Sequence, residues 1–211
     1  MVAESRHRDA SANRGYAKDA QKNMNRIRTF RMPAAVTITG RSSTMTAAFV
    51  SAIIPIIEPT DSELQEALEI LGMDSNDVRC AYCGESMTEW DHLRPLVSGQ
   101  KPTGYISEIG NLVPSCGKCN QSKGNKPWRE WMLGGAKRSP KSRAVSDLDN
   151  RIERLEAYER WRPRPPLDLE GIVEAGLWSR HWENWRALLQ LMNDSQQIAK
   201  AIRSAIKARM R

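Results

Sequence analysis

CAYCGESMTEWDHLRPLVSGQKPTGYISEIGNLVPSCGKCNQSKGNK, from Cys80 to Lys126, is the stretch on which the reading of this 211-residue chain turns. It holds all four cysteines, as two Cys-x-x-Cys pairs, Cys80 with Cys83 and Cys116 with Cys119. Two such pairs a few dozen residues apart are the sequence form of a four-thiolate zinc site. Each pair makes a tight knuckle, and the ion ties two distant pieces of chain together. Four protein ligands leave no open coordination position, so this Zn²⁺ is expected to be structural, one per chain. Asp91, His92, Asn111 and Asn120 lie between and just behind the thiols. A carboxylate beside an imidazole inside such a clamp suggests a second centre, one that does chemistry.

Outward from this stretch the charge is uneven. The chain carries +7 overall with a pI near 9.4, which points to a polyanionic partner. Residues 1–43 hold nine Lys/Arg against three acids, residues 44–79 seven acids against Arg79 alone, and the last seventeen residues five basic groups and no acid. Residues 1–43 read as a basic arm in which Ser11 to Phe30 can form an amphipathic helix. No apolar run is long enough to cross a membrane, and the N-terminus lacks the apolar centre of a signal peptide. Cysteines confined to Cys-x-x-Cys pairs suit metal binding in a reducing compartment better than disulfides. A cytoplasmic, nucleoid-associated protein is expected.

The helical segment 44–79 starts with TMTAAFVSAIIPII, in which Pro55 must end or kink a helix. Thr60-Asp-Ser-Glu63 then spells a capping box before Leu64, Ala67, Leu68 and Leu71, with Gly72 as the stop. Within the stretch, Met87 to Leu93 and Ile109 to Val113 are expected as short strands, with Pro114 ending the second. Ser98 to Ser107 reads as a loop. A helix should begin at Gly117 and another over Trp128 to Leu133, with Pro127 in its first turn. The segment 80–135 is thus one module. In the C-terminal helical region, 136–211, a basic linker (136–143) precedes a helix from Ser146, marked by Leu148, Ile152, Leu155 and Tyr158. Arg162 to Pro166 breaks that helix. A last helical region from about Trp178 should be interrupted at Asn193-Asp194-Ser195, and its Ile198, Ile202 and Ile206 stripe suits dimerisation or DNA. The seven tryptophans, six of them clustered at 128–131 and 161–185, read as core and dimer interface rather than base-stacking surface.

Taken singly, Asn111 reads as a turn residue and Asn120 as a helix cap. Strand neighbours point to opposite faces, so Asp91 and His92 can serve one site only at a strand end. Together, however, Cys-x-x-Cys, Asp-His-x-x-Pro, a Gly-bearing loop, Asn-Leu-Val and Cys-x-x-Cys-Asn-x-x-Lys-Gly resemble the HNH nuclease motif in its zinc-braced form. The resemblance implies an α+β, mostly helical chain whose central ββα-metal module sits between N- and C-terminal helical segments. It implies His92 as general base, Asp91 and Asn120 as ligands of a catalytic divalent ion, and Asn111 as a brace for the loop carrying His92. Asn stands at the third signature position, where many members have His; its amide oxygen suits Mg²⁺, with Mn²⁺ able to substitute. Lys123 and Lys126 are candidates for contact with DNA phosphates.

The expected activity is metal-dependent hydrolysis of double-stranded DNA, as a site-specific, homodimeric restriction endonuclease. A monomeric homing or phage-type nicking enzyme uses the same motif. A zinc-ribbon DNA-binding protein would need the cysteines and basic arms but has no use for Asp91, His92 and Asn120. An RNA-acting nuclease is separable by substrate.

Overall fold

The apolar run after Ser42 forms helix α1 (Ser42–Ile53), and the chain leaves it in extended conformation just ahead of Pro55, whose ring cannot continue it. The computed structural model describes residues 32–210; most of the basic arm, including the stretch Ser11 to Phe30 expected as a helix, lies outside them. Helix α2 (Asp61–Leu71) begins with the expected capping box: Thr60 Oγ1 accepts from Glu63 N, and Glu63 Oε2 accepts from Thr60 N at 2.8 Å. It ends on Gly72 at φ 66°, a left-handed conformation that glycine adopts without steric cost.

The central module is α+β. Strand β1 (Glu89–His92) pairs antiparallel with β4 (Leu112–Ser115), and between them a second ribbon joins β2 (Val97–Ser98) to β3 (Lys101–Pro102). Two expectations fail here. The stretch read as a loop contains this hairpin, closed by Gly99 and Gln100 at φ 54° and 66°; positive φ at both central positions matches the twist of the strands. The second strand also begins later than expected, because residues 109–111 form a 3₁₀ turn, and it runs through Pro114 opposite Trp90. Proline is tolerated because its carbonyl accepts from Ala81 N at 2.8 Å, so its backbone faces the first knuckle and not β1. Helix α3 (Gly117–Lys123) and helix α4 (Trp128–Leu133) follow, with Pro127 just ahead of α4.

Helix α5 (Leu148–Trp161) buries Ile152, Leu155 and Tyr158 and ends where Arg162 to Pro166 begins. These residues share one core with Ala67 and Leu71 of α2, Val113, and Trp128, Trp131 and Met132 of α4, so helices from both sides close on the module. Each such large side chain contributes about 1.5–3 kcal/mol through burial. A short helix α6 (Leu169–Ile172), capped by Asp168, leads into α7 (Ala175–Arg209), 35 residues long. The expected interruption at Asn193-Asp194-Ser195 is absent, and the helix runs through these residues unbroken. Asp194 accepts from Gln190 one turn back at 2.9 Å, and nearby Gln196 is buried and accepts from Ile38 N at 2.7 Å. A second core joins Val50 and Ile54 of α1 to Leu96, Val97 and Ile106, with Trp182 of α7 packed against it. No helix among the described residues is long and apolar enough to cross a membrane.

Candidate metal centres and active site

The two knuckles bring Cys80, Cys83, Cys116 and Cys119 together, with all four sulfurs within 4.8 Å of one another. The Cys83–Cys116 separation is 3.7 Å. A tetrahedron with metal–sulfur bonds of about 2.3 Å has edges of about 3.8 Å, so the thiols fit one tetrahedral ion. All but Cys83 are buried. Arg143, in the segment read only as a basic linker, donates to Cys119 Sγ at 3.5 Å and pairs with Glu85. A guanidinium there offsets the negative charge that four thiolates concentrate around a divalent ion. Its distance in sequence from the cysteines hid it.

Alternation along β1 sorts the second group. Glu89 and Asp91 lie on one face and His92 on the other. Asp91 is buried, accepts from Tyr82 Oη at 2.6 Å, and pairs with Lys123 Nζ at 3.1 Å. Burial pushes its carboxyl above the usual carboxylate range, with Lys123 and Tyr82 pulling the other way. Lys123 is not at the surface where a phosphate would meet it. It is wholly enclosed, donating also to His92 O at 2.7 Å, and burial lowers its pKa against the pull of Asp91. Lys126 is exposed, and its ammonium donates to Ser122 O at 3.0 Å at the end of α3. Asn120 on α3 donates to Glu89 Oε2 at 2.9 Å, so the helix facing β1 places an amide and a lysine against two carboxylates. Glu89 was missed in the sequence because a lone strand glutamate carries no signature.

His92 Nε2 lies 2.8 Å from Ser107 Oγ, and burial, helped by the Lys123 charge, lowers its pKa to about 4. Among the described residues Nδ1 has no partner. Ser107 is itself fixed by backbone bonds to Pro55 and Ile57. Asn111, in the 3₁₀ turn, is buried: its Oδ1 accepts from Arg94 N at 2.8 Å, and its amide donates to Arg94 O and Ile106 O, both at 3.1 Å. It therefore ties the segment leaving His92 to the segment entering Ser107.

The class of this site follows from comparison with known proteins. Residues 80–126 match the HNH endonuclease family and form an HNH endonuclease domain. The CRISPR-associated endonuclease Cas9 of Corynebacterium diphtheriae is 38% identical over 85 residues, covering 33% of this chain and 8% of that protein. The chain thus spans under a tenth of the length of this curated relative. No solved structure matches the chain.

Proposed function

We propose that the chain is a metal-dependent DNA endonuclease in which His92 is the general base and Asp91 and Asn120 hold the catalytic ion. The observation carrying this is the pairing, on one short strand, of a neutral imidazole whose Nδ1 has no partner among the described residues with two carboxylates, Glu89 against the Asn120 amide and Asp91 against Lys123 of α3. The donor set fits a hard divalent ion: the Asp91 carboxylate and the Asn120 amide oxygen are hard ligands, and the ion would take over the charge pairing that Lys123 now gives Asp91. Mg²⁺, or Mn²⁺ in its place, would supply charge neutralisation at the scissile phosphate. Glu89 stands beside the pair as a further oxygen donor.

Burial keeps the His92 imidazole neutral near pH 7, the form able to take a proton from water. That role requires the tautomer in which Nε2–H donates to Ser107 Oγ, leaving the lone pair on Nδ1. Asn111 holds the backbone on both sides of this bond. Zn²⁺ on the four cysteines is structural, since all four positions are filled by protein. Lys126 is exposed for contact with a neighbouring phosphate.

Both strands of a restriction site are cut most directly by two copies. Leu191, Ile198, Ile202 and Ile206, all more than half exposed along α7, support a homodimer through this helix. A monomeric nicking enzyme would leave the stripe without a partner.

The test is incubation of the purified chain with supercoiled plasmid and Mg²⁺, followed by end sequencing. Linear product with 5′-phosphate ends supports paired cleavage, and open circles only support nicking. Cleavage of RNA but not DNA would remove the DNA reading.

A further inference from the structure

A half-open groove of about 450 Å³ lies between the β2–β3 tip and the first turns of α7. One wall is made by Trp178, Trp182 and Trp185, packed edge to face with centroid separations of 5.6 and 5.8 Å. Unlike the buried Trp128 and Trp131, these three keep part of their surface open. Two are anchored from behind: Trp182 leans on the second core, and the Trp185 indole donates to Thr46 Oγ1 at 3.1 Å. The facing wall is Gly99, Gln100 and Lys101 of the hairpin tip, and Arg186 and Glu183 line the groove from α7.

This lining selects a chemistry. The volume falls within the range of roughly 300–1,000 Å³ typical of small-ligand sites. Rigid indole faces favour a flat aromatic ligand. Lys101 and Arg186 disfavour a cation, while Glu170 and Glu183 disfavour a ligand that is an anion throughout. A neutral heterocycle with donors and acceptors on its edge, carried on a phosphate thread, satisfies both signs at once. The hairpin also connects the groove to the nuclease site: it starts shortly after His92 and returns to Ser107, whose hydroxyl bonds His92.

We propose that this groove takes an unstacked nucleobase of the DNA strand, stacked on Trp178 with the phosphates toward Lys101 and Arg186. The proposal rests on the nuclease reading for the nature of the polymer. Enzymes that hold bases out of the stack use this combination of aromatic faces and polar edge contacts.

The experiment measures binding of the full chain, without added Mg²⁺, to two fluorescently labelled single-stranded oligonucleotides of equal length. One is intact and the other carries abasic sites in its central nucleotides. Anisotropy is expected to show the intact strand binding about tenfold tighter, the scale of a single stacked base. Trp178→Ala should erase that difference while leaving the affinity for the abasic strand, and Trp178→Phe should keep most of it. Ser179→Leu, at an exposed position lining the groove, fills it without touching either core and should also erase the difference. Equal affinities in the wild type, absence of binding, or a preference surviving in folded Trp178→Ala or Ser179→Leu would each overturn the proposal. Base preference without plasmid cleavage would sink the nuclease reading alone, and cleavage without base preference would sink the groove alone.

Discussion

Lys123 and Asp91 form an enclosed ion pair, Nζ to Oδ2 at 3.1 Å, with side chains 1% and 6% exposed. A buried carboxylate that loses its partner keeps the cost of leaving water without the compensating attraction. Lys123→Met is therefore expected to destabilise the protein by about 3–5 kcal/mol. Adding Asp91→Asn to Lys123→Met should recover part of that loss. Urea denaturation reads both; a single mutant within about 0.5 kcal/mol of wild type would mean that the pair is not closed to solvent in solution.

Removing the ion from the four cysteines should unfold the module around it, because the Ala81 N to Pro114 O bond and the short β1–β4 pairing are few contacts to hold the two knuckles together without a shared ion. Metal analysis is expected to give one zinc per chain. Cys116→Ser should lower that content and the melting temperature together. Full zinc content in Cys116→Ser would place the metal elsewhere.

Asn111 makes three hydrogen bonds to backbone on both sides of the His92–Ser107 contact. Asn111→Ala leaves those buried groups unpaired, at about 1–3 kcal/mol for each that stays unsatisfied. Both stability and cleavage should fall. Ser107→Ala, which removes only the contact to Nε2, should reduce cleavage by about tenfold or less, the worth of one hydrogen bond, at nearly unchanged stability. A Ser107→Ala protein with wild-type rate would remove Ser107 from the positioning of His92.

The pH dependence follows from burial. His92 loses its proton well below the ordinary value of 6.5, at about 4, so its active neutral form persists in mildly acid solution. Asp91, raised by burial, takes up a proton earlier than an exposed carboxylate. The acid limb of the cleavage profile should therefore lie below 6.5. The unfolded imidazole protonates first, so this contribution to stability is complete above about 6.5 and is lost as pH falls toward about 4. A cleavage profile falling with a midpoint at 6.5 would indicate an exposed, unperturbed base.

Much of the site is legible in the amino-acid sequence. The cysteine spacing, the capping box at Thr60 and Glu63, and the ends of α1 and α5 are local signals, each set by a few neighbouring residues. The β2–β3 hairpin is hidden there because Gly99-Gln100 is an unusual pair for a turn with positive φ at both positions. Also hidden are the bonds of Asp194 and Gln196 in the unbroken α7, which depend on one partner a turn away and another far off at Ile38. The burial of Lys123 against Asp91, and the places of Glu89 and Arg143, escape a reading of the sequence for a related reason. A charged residue declares its exposure only when the element opposite it is known.

The measurement that bears most directly on the central claim compares wild type and His92→Ala on supercoiled plasmid over a Mg²⁺ titration, with zinc content and circular dichroism recorded on both. The wild type is expected to cleave only with added Mg²⁺. His92→Ala is expected to lose at least about a hundredfold in rate, the lower range for a general base, at unchanged zinc content and fold. Wild-type cleavage by a folded His92→Ala protein would contradict the assignment of the base.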